Sequence, residues 1–153
     1  MMTGLETDAL LDLIRAKRSC VEQLWIIGNR QMTLIEEGRM AGLLDLLVQK
    51  QHTLSELKRV ERSLDPFRHQ PPESRRWRSE ADRQSCAEVL QACEQMLSKI
   101  VAQERACEQA MVRCRDNAAR QLQGMHQASL ARTSYSAPAA GSAGQLDLSS
   151  EAS

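Results

Sequence analysis

Apolar residues recur at helical intervals along most of the chain. The first run is Leu10, Leu11, Ile14, Val21, Leu24, Trp25, Met32 and Ile35, a spacing that lines side chains along one face of an α-helix. It lapses at "EEGRMAG" and resumes with Leu43, Leu46, Leu47, Leu54, Leu57, Val60 and Leu64. Gly38 and Gly42 weaken a helix between the two runs, because glycine loses the most backbone entropy on ordering. The pattern leaves open a break at Gly38–Gly42 or one continuous bent helix. Ahead of the first run, Thr3 and Glu6 have the spacing of a capping box.

Asp65-Pro66 predicts the end of this region near Leu64, since proline disfavours helical geometry in the residue before it. A stiff connection over 65–78 follows, with Pro66, Pro71 and Pro72. Ser79 and Asp82 then have the spacing of a second capping box. The next helix runs without proline to about Arg132, roughly 50 residues or ~80 Å at 1.5 Å per residue. The predicted fold is all-α: a long antiparallel, coiled-coil-like hairpin or bundle with helices over about 5–64 and 79–132. If the first helix breaks, there are three. One helical domain covers 1–135. The remaining 136–153 is small, polar and of low complexity, and is expected to be disordered because it cannot bury enough apolar surface to offset its ordering entropy.

Composition agrees. The chain is 42% hydrophobic but only 3% aromatic, poor in the β-branched and aromatic residues that strands use. Lys and Arg total 20 against 20 Asp and Glu, interspersed as on solvated helix faces. That balance argues against nucleic-acid binding, which needs a basic footprint. No apolar stretch reaches bilayer-spanning length, and the first residues lack the basic and apolar regions of a secretory signal. No membrane insertion and a cytoplasmic location are therefore expected, and an odd count of five cysteines suits a reducing compartment.

Four of those cysteines raise the question of chemistry. Cys86, Cys93, Cys107 and Cys114 differ by multiples of seven, with Ile100 in the vacant slot. Two helical turns return position i+7 to nearly the same face, so these five form a stripe. Four residues on from each lie Leu90, Leu97, Glu104, Met111 and Ala118, followed by Met125 one heptad later, a heptad-like seam apolar except at Glu104. Residues seven apart are ~10.5 Å apart along the axis, whereas a disulfide needs Cα atoms within about 7 Å and zinc-sharing sulfurs lie within ~5 Å. The thiols therefore read as small buried hydrophobes, and neither a metal nor a cofactor is expected. An antiparallel fold-back counted from the proline loop puts His52 near Cys93, a conceivable nucleophile and base. No orienting third group or pocket motif accompanies them, so no catalytic residue is assigned. In "RRWR" (75–78) the arginines are expected in water, with Trp77 closing the end of the seam.

The stretch "LIEEGRMAGLLDLLVQKQHTLSEL" (34–57) resembles the core signature of the FlgN-type flagellar export chaperones. A small-residue interruption precedes a leucine run, then a Lys-Gln pair, then leucines at steps of three: Leu43, Leu46, Leu47, Lys50, Gln51, Leu54 and Leu57. "LDPFR", "RRWRS" and "QERACEQAMVRCRDNAARQLQ" (103–123) extend the likeness, with Glu104, Met111, Arg115 and Asp116 at family-like positions. The resemblance covers about residues 5 to 135.

It implies a non-enzymatic cytoplasmic chaperone built as a bundle of long antiparallel helices. Such a protein binds the hook-associated proteins of the hook–filament junction, prevents their premature assembly and delivers them to the flagellar type III export apparatus. Partner binding is then expected on the distal part of the last helix, at Met111, Leu122, Met125, Leu130 and Tyr135; methionines suit an adaptable surface. Alternatively, these residues pack on the N-terminal half of the first helix or serve a homodimer. The competing function is a structural coiled-coil or adaptor protein mediating oligomerisation.

Overall fold

The computed structural model describes residues 5–152, with side chains for 5–135. It is an all-α bundle of three helices packed against one another. They are α1 (Glu6–Glu36), α2 (Met40–Arg68) and α3 (Glu80–Ala152), with a single 3-10 turn at Pro72–Ser74 between the last two. The chain divides into two compact units, residues 1–111 and 112–153.

Thr3 lies outside the described residues, and α1 starts one step later with Leu5 as its N-cap. Leucine has no side-chain acceptor, so only the reciprocal half of a capping box forms: the Leu5 N–H donates to Asp8 Oδ2 at 3.1 Å. Of the second box, the Ser79 half is formed. Ser79 Oγ accepts from the Asp82 N–H at 3.1 Å and opens α3.

The chain breaks between the two apolar runs, at Gly38. Its φ of +68° is the left-handed conformation that costs other residues a steric clash. The Arg39 N–H donates to the Leu34 carbonyl at 2.9 Å and the Gly38 N–H to the Ile35 carbonyl at 3.1 Å. This crossed pair is the Schellman closure of a helix C-terminus. It turns the chain back within three residues and makes α1 and α2 an antiparallel hairpin. Gly42 serves closeness instead: a Cβ there would lie 3.3 Å from Leu34 Cδ2.

The expected stop at Leu64 is corrected, because α2 continues through Pro66 to Arg68. Proline forfeits one backbone bond here, close to the helix end where donors and acceptors are already running out. Two features hold the extra turn. Phe67 packs with Leu64's cluster, and the Arg68 guanidinium grips Glu61 and, at 2.6 Å, Asp65. The connection therefore spans 69–79 rather than 65–78. At the other end, α3 extends past the expected boundary near Arg132 to Ala152. The expectation of a disordered 136–153 falls on residues whose side chains lie outside those described.

One core cluster joins all three helices: Leu10, Leu11 and Ile14 of α1, Val60 and Leu64 of α2, and Cys86, Val89 and Cys93 of α3. Trp77 packs against its end, as expected. Farther along, Ile35 and Val21 are fully buried, and Ile27, Leu43, Leu46, Cys107 and Ala110 are buried with them. The connection is tied to the start of α1. Thr7 Oγ1 donates to the Arg76 carbonyl at 2.5 Å, Arg78 holds Asp8 through two bonds of 2.6 and 3.2 Å, and Gln70 Nε2 donates to Glu6 at 3.0 Å. Arg75 does not stay in water. Its Nη2 donates to the Phe67 carbonyl at 2.6 Å and so caps the end of α2.

Candidate functional site

The thiol stripe is a packing seam. Cys86, Cys93 and Cys107 are buried, Cys93 and Cys107 at 1% exposure, while Ile100 and Cys114 are half-buried. Burial raises the thiol pKa of Cys20, Cys86, Cys93 and Cys107 above the ordinary 9.0, which keeps them protonated and poorly nucleophilic. Among the described residues, no three His, Cys, Asp or Glu side chains converge to hold a metal ion.

The second line of the seam needs correction. The four-residue step named Leu90 and Leu97, which are half-buried. The three-residue step carries Val89 and Ala110, which are buried at 8% and 3%. A helix lying against two others is covered on both flanks, so its apolar stripe is wider than a two-helix seam. Polar groups show which flank faces which helix. On one side Gln103 Nε2 donates to the Trp25 carbonyl at 3.1 Å and to Asn29 Oδ1 at 2.9 Å, both on α1. On the other, Glu104 forms an ion pair with Lys50 of α2. Lys50 Nζ also donates to the buried Gln31 of α1 at 3.1 Å, so one ammonium ties three helices.

Two of these groups escaped the sequence pattern. Gly28 is buried in the middle of α1, where a Cβ would overlap the Gln103 carboxamide and lie 2.7 Å from its Nε2. The absent side chain is what lets α3 approach α1, and Cys107 Sγ sits 3.9 Å from the Gly28 carbonyl. A lone glycine inside a long helical run was the available signal. For Lys50 the signal was Glu104, the one charge on an otherwise apolar seam, which calls for a cation opposite.

His52 does not meet Cys93. It is exposed, and the α2 charge that acts on Cys93 is Glu61. The extra turn of α2 moves the register of the α2–α3 pairing along the helix. Glu61 is bridged by Lys17 of α1 at 3.0 Å and by Arg68. Burial acts to raise its pKa, but those two cations outweigh it and the net shift is downward.

The distal residues expected to bind a partner are exposed: Met111 39%, Leu122 67%, Met125 66%, Leu130 56% and Tyr135 89%. Met111 ends the first unit, and the other four belong to the second. Within the second unit Ala118, Leu122 and Met125 share one face at steps of four and three. At about 100° per residue, Leu130 stands about 80° to one side of Leu122, and Tyr135 about 80° to the other side of Met125. From 115 to 135 every described residue is exposed, and the charges of 112–135 are Arg113, Arg115, Arg120 and Arg132 against Asp116.

Comparison with known proteins adds no relative. No family model, curated protein or solved structure matches the chain. No helix among the described residues is long and apolar enough to cross a membrane.

Proposed function

We propose that the chain is an export chaperone of the FlgN type. It binds hook-associated proteins in the cytoplasm, holds them from assembling and hands them to the flagellar export apparatus. The observation that supports this is the exposed Leu122 and Met125 pair on the distal part of α3. A helix that turns a leucine and a methionine to solvent on one face has the form of a groove-filling or groove-forming partner for another amphipathic helix. The methionine adapts to more than one apolar side chain. The likeness of 34–57 and 103–123 to the family signature names the client.

The test is capture of hook-associated proteins by the tagged chain on co-expression, with Leu122→Glu and Met125→Glu combined as the disabled form. Both positions are well exposed, so the variant keeps its helix content by circular dichroism. The expected outcome is capture by the parent and loss in the variant. Failure of the parent to retain any hook-associated protein sinks the proposal, and so does undiminished capture by the variant.

A structural adaptor that associates with its own kind is the second reading. A separate observation favours it: Met40, Leu44, Leu47 and Val48 of α2 are exposed at 41, 64, 37 and 60%. A concentration-dependent dimer by sedimentation that disappears in Leu44→Glu, with no client retained, would decide for it.

A further inference from the structure

A cleft of about 570 Å³ opens between the α2–α3 connection and the first turns of α3, within the range of ligand clefts, about 300–1,000 Å³. Its lining divides by chemistry. Trp77, Cys86, Ala87 and Leu90 supply apolar surface, and Arg75 and Arg83 supply two guanidinium groups. Neither charge is well neutralised. Arg75 has one nitrogen on the Phe67 carbonyl, and its Nε is buried without an acceptor. Among the described residues Arg83 pairs with the exposed Glu80, at 3.4 Å, a solvent-screened pair that contributes little.

We propose that this cleft docks a short acidic-apolar segment of a partner protein. A large apolar side chain of that segment lies against Trp77 and Leu90, and a neighbouring carboxylate reaches Arg75 and Arg83. Charge complementarity selects this occupant. An apolar wall alone accepts any hydrophobe, but two under-compensated guanidiniums beside it favour one that carries a carboxylate, which arginine binds through paired N–H groups. Glu73, also in the lining, disfavours a segment that is acidic throughout. The cleft belongs to the first unit, and its role does not depend on the distal helix or on the export-chaperone reading.

Trp77 provides the readout. The chain has two tryptophans, so the full-length Trp25→Phe variant reports from the cleft alone. The probes are three capped pentapeptides with a leucine–glutamate–leucine core, or with glutamine or lysine in the middle. Saturable change in Trp77 emission with the glutamate peptide is expected, with the glutamine peptide about tenfold weaker, the scale of one charge-assisted hydrogen bond. Arg83→Gln and Ala87→Glu, both at exposed positions, are each expected to weaken the glutamate peptide about tenfold with an unchanged melting temperature. Equal binding of the three peptides overturns the proposal. So does an unchanged Trp77 signal up to about 1 mM, or parent-like binding by both variants. Loss of client capture with this titration intact removes the chaperone reading and leaves the cleft, and the converse result does the reverse.

Discussion

Gly28 offers a test in which one substitution changes sign with its background. Alanine in a helix interior is favoured over glycine by about 1 kcal/mol, so on propensity alone Gly28→Ala stabilises α1. The structure opposes this. The new methyl would overlap the Gln103 carboxamide, which must swing out and give up its bonds to the Trp25 carbonyl and Asn29 Oδ1. Two such bonds contribute about 1 kcal/mol each, so the net effect is a loss of about 1 kcal/mol. In a Gln103→Ala background the nearest obstacles are gone, and Gly28→Ala is expected to stabilise by about 1 kcal/mol. The coupling between the two positions is then about 2 kcal/mol. Urea unfolding of the four proteins, followed by tryptophan emission, measures it. Stabilisation by Gly28→Ala in both backgrounds would falsify the close-approach role of this glycine.

Two further perturbations bear on the fold. Gly38→Ala forces a Cβ into a left-handed conformation at a site with no neighbour within 4 Å, so the cost is backbone alone, about 1–2 kcal/mol. Gly38→Asn is expected to recover part of it, and equal urea midpoints for all three proteins would contradict the Schellman closure. The buried thiols set an alkaline limit. Cys20, Cys86, Cys93 and Cys107 hold their protons more tightly folded than unfolded. Above the ordinary 9.0 the unfolded chain therefore binds fewer protons than the folded one, and stability falls as pH rises. The urea midpoint is expected to be flat below about pH 8 and to decline from about pH 9, with a shallower decline in a variant carrying alanine at all four. A midpoint level to pH 10 would place these thiols in contact with water.

The sequence exposed the fold well where periodicity acts alone. Every apolar residue named in the first run, from Leu10 to Ile35, is buried or half-buried, because a long amphipathic helix has few other ways to shelter its stripe. Punctuation was harder to read. Gly38 and Gly42 look alike in the sequence, yet one reverses the chain and the other admits Leu34, a difference that depends on where the partner helix lies. Pro66 marked a stop that tertiary ties from Phe67 and Arg68 postpone. On the candidate surface, Leu122, Leu130 and Tyr135 lie off the heptad seam, whereas Met111 and Met125 continue it and are nevertheless exposed. Their division between faces follows from counting 100° steps along the helix.

That postponed stop has a consequence for chemistry. With the end of α2 set at Leu64, symmetric counting from the loop put an imidazole opposite Cys93, one of the two most buried thiols of α3, which is half of a nucleophile–base pair. The additional turn to Arg68 and the asymmetric connection, tied to α1 through Thr7 and Asp8, slide α2 along α3. Glu61 then comes to Cys93 and Lys50 to Glu104. A carboxylate near a buried thiol opposes ionisation, whereas a protonated histidine would promote it. Burial is the main reason the Cys93 thiol keeps its proton, and the Glu61 carboxylate that this register brings adds to it. A polar node and an apolar seam are two outcomes of the same alignment. Both leave apolar side chains of α2 and distal α3, and the Trp77 cleft, open to solvent.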